Sequence, residues 1–225
     1  AALAALHGVA ISLAALAVCA TAALPMLTPG AGVTVALLAA VAGILCARAT
    51  AGVLRGLLLA GGLVAAVLGV MLTWITPQSV PFAGPATVVA LALYAAWGPR
   101  IARPVFVGAA YAYALLVLAG TLGLIGVTGV AQLCLTASVG LLGAIVATFL
   151  PWTGARTWQA VLLVASVPFG IAVAQVMVLR SGWTAVSTAV MFALALTLTL
   201  TRRPGLTVLV RTGAAALLVP TAAVV

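Results

Sequence analysis

The sequence predicts an all-α protein, a polytopic bundle of transmembrane helices, and three observations carry that prediction. Of the 225 residues, 67% are hydrophobic. Only 4% are charged, where a soluble domain carries about 25%. The mean hydropathy is +1.44, and the apolar runs reach the ~20 residues that one helix needs to cross a bilayer. The chain also contains no Asp, no Glu and no Lys, so its nine formal charges are all Arg.

Nine spans follow in order, at roughly 3–24, 31–47, 55–76, 84–97, 105–122, 130–150, 159–179, 184–200 and 206–225. The first has no basic residue ahead of its apolar run and is followed by helix after helix, so it reads as a span and not as a cleaved leader. Pro25 and Pro29 separate it from the second, and Arg48 ends that one. Pro77, Pro81 and Pro85 mark the turn before the fourth, which is short and implies tilt or a missing piece. Gly98-Pro99 and Pro104 bracket the next turn; Pro151, Gly182 and Pro204-Gly205 mark the later ones. Pro168 and Pro220 fall inside spans and remove a backbone donor from each.

The arginines orient the bundle. Arg48, Arg55, Arg100, Arg103, Arg156, Arg202 and Arg203 fall in even-numbered connections, and only Arg180 falls in an odd one. Cytoplasmic loops are enriched in basic residues, so the N-terminus is expected in the cytoplasm and, with nine spans, the C-terminus outside. Trp74, Trp97, Trp152, Trp158 and Trp183 lie near span ends, where indoles anchor at the interface. Arg211 lies several residues inside the last span and is expected to snorkel towards the cytoplasmic interface, or to meet a partner subunit or a headgroup. The arginines are scattered singly, with no basic stripe, and exclude a nucleic-acid reading.

Few residue types for chemistry are present. Without carboxylates there is no usual proton relay, hard-cation ligand or general acid/base. His7 is the only histidine and has no second ligand near it; Cys19, Cys46 and Cys134 lie singly inside spans and read as small apolar residues. No catalytic, cofactor-binding or metal-ligating residue is therefore assigned. Gln132, Gln159 and Gln175, with Ser138, Ser166 and Ser187 nearby, would either line a polar path or hydrogen-bond between helices. Gly52 and Gly56, the repeat Gly123, Gly126 and Gly129, and the pair Gly140 and Gly143 are candidates for close helix packing. The absent acids and short connections predict that these residues are the membrane part of a longer protein, whose intact mass would exceed 22.2 kDa.

Several local patterns resemble one family. An apolar hairpin runs into Ala47-Arg48-Ala49-Thr50, and Gly84-Pro85-Ala86-Thr87-Val88-Val89 opens a helix that ends at Gly98-Pro99-Arg100. Gly154-Ala155-Arg156-Thr157-Trp158 forms a basic link before a late helix, and Val210-Arg211 precedes Leu217-Leu218-Val219-Pro220 in the last one. In order and style these features resemble the EccD-type integral membrane component of mycobacterial type VII (ESX) secretion systems, and the Lys-free, Ala-, Val- and Leu-rich usage suits a high-GC actinobacterium. The resemblance implies eleven spans, a cytoplasmic N-terminus behind a ubiquitin-like domain, and a plasma (inner) membrane location. It also implies a non-enzymatic scaffold, without cofactors. Two copies per protomer would enclose a lipid-filled vestibule beside an ATPase and the EccB- and EccE-type subunits. This sequence departs from the pattern: it has no ubiquitin-like domain, two fewer spans, and no long cytoplasmic loop after the sixth. The partners implied are membrane lipids, a second copy and the ATPase-containing complex. The alternatives are a transporter, permease subunit or lipid flippase whose polar loops lie elsewhere, and a membrane enzyme whose catalytic loops do.

Overall fold

A computed structural model describes residues 29–75, 79–150, 153–179, 183–200 and 207–222. They form eight α-helices: α1 (Pro29–Ala49), α2 (Gly52–Ile75), α3 (Val80–Trp97), α4 (Arg103–Leu124), α5 (Val130–Phe149), α6 (Ala155–Leu179), α7 (Trp183–Leu200) and α8 (Thr207–Ala222). There is no strand among the described residues. Six of the helices are long and apolar enough to cross a membrane, and the shorter apolar stretches Thr188–Leu200 and Val210–Val219 lie in the other two. The chain is a multi-pass helical membrane protein. These helices coincide with eight of the nine expected spans; the first, 3–24, lies outside the described residues, with His7 and Cys19.

Three helix starts correct the sequence reading. Pro81, Pro85 and Pro104 were expected in turns, but α3 starts at Val80 and α4 at Arg103, so all three are helical. Pro81 and Pro104 stand second in their helices, where a proline's missing N–H would have had no partner; Pro85 lies inside α3 and removes one intrahelical donor there. Starting at Val80 also lengthens the short fourth span to 18 residues. Likewise α6 starts at Ala155, which places Arg156 in its first turn and not in a connection.

The chain divides into two compact units, Ala1–Phe106 and Val107–Val225. In the first, α1 and α2 form a hairpin. Gly52 adopts φ 67° at the start of α2, a backbone that L side chains disfavour, and lets the two-residue connection reverse the chain. The Thr50 hydroxyl donates back to the Cys46 carbonyl (3.2 Å) and closes the end of α1. The helices then meet along small residues: Ala36, Ala40 and Ala47 of α1 and Gly62, Ala65, Ala66 and Gly69 of α2 are buried. A Cβ on Gly43 would lie 3.0 Å from the Leu58 carbonyl oxygen and 3.1 Å from Gly62 Cα, so here the backbones are in direct contact. Lipid tails are as apolar as leucine, so such close packing, and not hydrophobic burial, holds membrane helices together. α3 packs on both helices. The Tyr94 hydroxyl donates to the Leu59 carbonyl (3.2 Å) of α2, and its ring stacks on Phe106, with centroids 5.6 Å apart.

In the second unit, α4 leads through Gly126 and Gly129, at φ 86° and 69°, into α5. α5, α6, α7 and α8 share one core of Cys134, Leu141, Phe169, Val173, Met191, Leu198 and Leu217 with small alanines between them. A second cluster gathers Ala144, Ala147, Val161 and Val210 around Trp158. Trp158 was expected at the interface but is 1% exposed. Its indole N–H donates to the Thr148 hydroxyl (3.2 Å), which donates to the Ala144 carbonyl (2.9 Å). A partnered indole N–H removes the need for a wet edge, and the whole ring can be buried. Trp74, by contrast, is exposed near the end of α2.

Gly62 should tolerate no side chain. A Cβ there would collide with the Tyr94 hydroxyl and lie 3.1 Å from the Ala40 carbonyl oxygen. Gly62→Leu is expected to cost about 1–3 kcal/mol, read as a lower melting temperature in mild detergent. Gly61→Ala, on an open face of the same helix, should match or exceed the parent protein, because alanine is the better helix former. Equal melting of the two variants would refute the close seam.

Candidate functional site

The charged end of the first unit is the most developed polar arrangement in the described residues. A helix leaves its last four carbonyls without intrahelical partners, and in α3 these belong to Tyr94, Ala95, Ala96 and Trp97. Each finds a donor. The Gly98 N–H caps Tyr94 O at 2.8 Å. Arg103, the first residue of α4, donates from Nε to Ala95 O (3.1 Å) and from Nη2 to Ala96 O (3.3 Å). Arg55, in the first turn of α2, donates from Nη2 to Trp97 O at 3.3 Å. Arg48, in the last turn of α1, lays its guanidinium over the Trp97 indole, 4.7 Å from the ring centroid. Arg48, Arg55 and Arg103 thus form a collar around the negative end of the α3 dipole, where cations are favoured. Arg100 stands exposed in the turn between α3 and α4.

The remaining arginines are placed differently. Arg156 is exposed in the first turn of α6, and Arg211 is exposed on α8. Arg180, Arg202 and Arg203 lie outside the described residues.

The polar side chains within the helices act as struts. Gln132 Nε2 donates to Ala119 O (2.7 Å) and ties α5 to α4. The Tyr111 hydroxyl donates to Gly140 O and ties α4 to α5. Buried threonines bond back into their own helices, Thr73 to Gly69 O (2.6 Å), Thr87 to Ala83 O (3.0 Å) and Thr136 to Gln132 O (2.7 Å), the usual solution for a hydroxyl in an apolar surround. Gln159 and Gln175 are exposed, Ser138 is half-buried, and the Ser187 side chain is outside the described set. Gln159 borders a groove of about 370 Å³ between α6 and α8, with Ser166 and Thr212 among leucines. Both hydroxyls donate within their own helices, to Leu163 O (2.6 Å) and Val208 O (2.9 Å).

The glycine candidates separate by position. Gly140 packs on Leu115 and Ala165, Gly143 lies under the Tyr111 ring, and Gly123 faces the Gln132 side chain. Gly52 and Gly56 face open space within this chain. Sequence reasoning passed over Gly43 and Gly62, although the Ala36, Ala40, Gly43, Ala47 stripe at helical spacing was a usable signal. Cys134 is buried, Cys46 is exposed, and no group of three potential metal ligands stands together among the described residues.

No family model matches the chain, and no curated protein or solved structure is significantly similar to it. The likeness to EccD-type components therefore rests on the local sequence features alone.

The two neighbouring tyrosines of α4 should respond in opposite ways. Tyr111→Phe removes a strut and is expected to lower stability by about 1 kcal/mol. The Tyr113 hydroxyl is buried without a hydrogen-bond partner, so Tyr113→Phe removes an unpaired polar group and should leave stability unchanged or raise it by about 1 kcal/mol. Thermal unfolding in one detergent compares them; a reversed order would contradict the hydrogen-bond assignments.

Proposed function

We propose that this chain is a non-enzymatic scaffold subunit of a multi-component membrane complex, of the type VII secretion kind, in the plasma (inner) membrane. The observation that supports this best is the use made of its polar side chains: tyrosine, glutamine and arginine donors lock one helix to the carbonyls of another. Such struts fix shape. The outer faces of the helices carry large exposed apolar residues, Leu38, Phe82, Leu163 and Val178 among them, suited to lipid or to neighbouring subunits. The resemblance to EccD-type components supplies the kind of complex: a pair of copies around a lipid-filled space, beside an ATPase. A span at 3–24, outside the described residues, would bring the count to nine and put the collar arginines at the cytoplasmic end.

The second reading is a permease subunit or lipid flippase, and the groove between α6 and α8 favours it. Under that reading Arg211→Ala abolishes solute or lipid movement in reconstituted vesicles; under the scaffold reading no such movement exists to lose.

Two measurements test the proposal. Single cysteines at Ala51 and Gly154, in a background without the native thiols, should react with a membrane-impermeant maleimide only from the cytoplasmic side, and one at Gly126 only from the opposite side. The opposite pattern overturns the orientation. Purification of the tagged protein in mild detergent should bring down a large assembly containing an ATPase. A small particle without partners overturns the scaffold.

A further inference from the structure

We propose that the arginine collar around the end of α3 is a binding site for the phosphate of an anionic phospholipid. A guanidinium offers five N–H donors. Arg103 uses two on the Ala95 and Ala96 carbonyls, and Arg55 uses one on Trp97. Among the described residues Arg48 contacts the Trp97 ring alone, and Arg100 stands exposed in the turn that follows α3. Most donors in the collar are therefore left for a partner, and the chain holds no Asp or Glu to supply one. Arg48 and Arg55 both fall on Trp97, one on its ring and one on its carbonyl. Two forked guanidinium groups are thus gathered on one residue, an arrangement suited to the several oxygens of a phosphate.

The surroundings point to a lipid and not to a soluble anion or an acidic protein. Val53, Ile101 and Val105, interleaved with these arginines along the chain, are 82%, 90% and 70% exposed. Apolar side chains that open lie against acyl chains when the charges beside them lie at headgroup level. A water-filled surface has no use for an almost fully exposed isoleucine between arginines. Anionic headgroups attract juxtamembrane arginines by about 1 kcal/mol each, about fivefold in affinity. The carbonyl bonds and the stacking hold Arg48, Arg55 and Arg103 in place before the lipid arrives, so little side-chain ordering remains on binding.

The inference rests on the helices spanning a membrane and not on the secretion-scaffold reading, so each can fail alone: lipid binding without an associated complex sinks only the scaffold. Native mass spectrometry of the whole protein in neutral detergent, titrated with phosphatidylglycerol or phosphatidylcholine, reads the site. Phosphatidylglycerol should bind with a defined stoichiometry, and phosphatidylcholine much more weakly. Arg48→Gln with Arg55→Gln should weaken phosphatidylglycerol binding about 30-fold, and Arg156→Gln with Arg211→Gln should leave it unchanged. Equal loss in both pairs means a diffuse field and overturns the site, as does undiminished binding in the first pair. Displacement of the lipid by equimolar inorganic phosphate or by an acidic peptide would assign the collar to a soluble partner and also overturn it. A measurement without variants guards against misfolding: phosphatidylglycerol should raise the melting temperature of the parent protein and phosphatidylcholine should not. Equal shifts overturn the proposal.

Discussion

Among the described residues the backbone carbonyl is the acceptor that nearly every polar side chain uses, and the polar architecture follows from that. Without carboxylates, an arginine, a tyrosine or a glutamine amide placed in hydrocarbon must find its oxygen on another helix's main chain or leave a donor unsatisfied, at a cost of several kcal/mol. Two kinds of carbonyl serve. Those in the last turn of α3 are free by construction, and Arg55, Arg103 and the Gly98 N–H take all four. Those in the middle of α2, α4 and α5 already accept one intrahelical bond, and Tyr94, Gln132 and Tyr111 use the second lone pair. Bonds to such carbonyls need no particular residue on the accepting side, only a route to the oxygen.

That condition explains what could be read from the residues and what could not. Apolar run length gave the helices of both units to within a few residues, because the bilayer imposes one length on every span. It failed at Pro81 and Pro104, where a residue that breaks helices in their interior is harmless at their start, and at Pro85, which α3 carries in its interior. Trp158 was read as an anchor because its neighbour in space, Thr148, sits ten positions away on another helix. The struts were illegible for a deeper reason. A carbonyl acceptor is present at every position and leaves no mark in the amino-acid sequence, so only the donor half of each pair could be named, as Gln132 was. The close glycine contact left no familiar mark: Gly52 and Gly56 form the GxxxG spacing and face open space within this chain, whereas Gly43 and Gly62 touch.

The collar also gives the basic bias a structural content. Counting arginines on alternate connections treats each as an independent charge that resists crossing the membrane. Here Arg48, Arg55 and Arg103 come from the ends of three helices, flanking two connections, and converge on one helix terminus. Arginines read from the sequence as topology signals are thus, in the folded chain, gathered on the end of a neighbouring helix.

The two tyrosine struts share one device with its own implication. Tyr94 donates to the carbonyl of Leu59 and its hydroxyl lies against Gly62; Tyr111 donates to that of Gly140 and its ring lies against Gly143. In both, the glycine stands three residues beyond the acceptor, where a Cβ would screen the carbonyl from the side. Each tyrosine and its glycine are therefore one heritable unit. A side chain gained at either glycine meets the tyrosine ring as well as its hydroxyl, and at Gly62 also the Ala40 carbonyl oxygen, so losing the hydroxyl alone frees neither position. Paths of sequence drift through these helices are ordered: the whole aromatic ring, and not its hydroxyl alone, must go before the gap beneath it can begin to close.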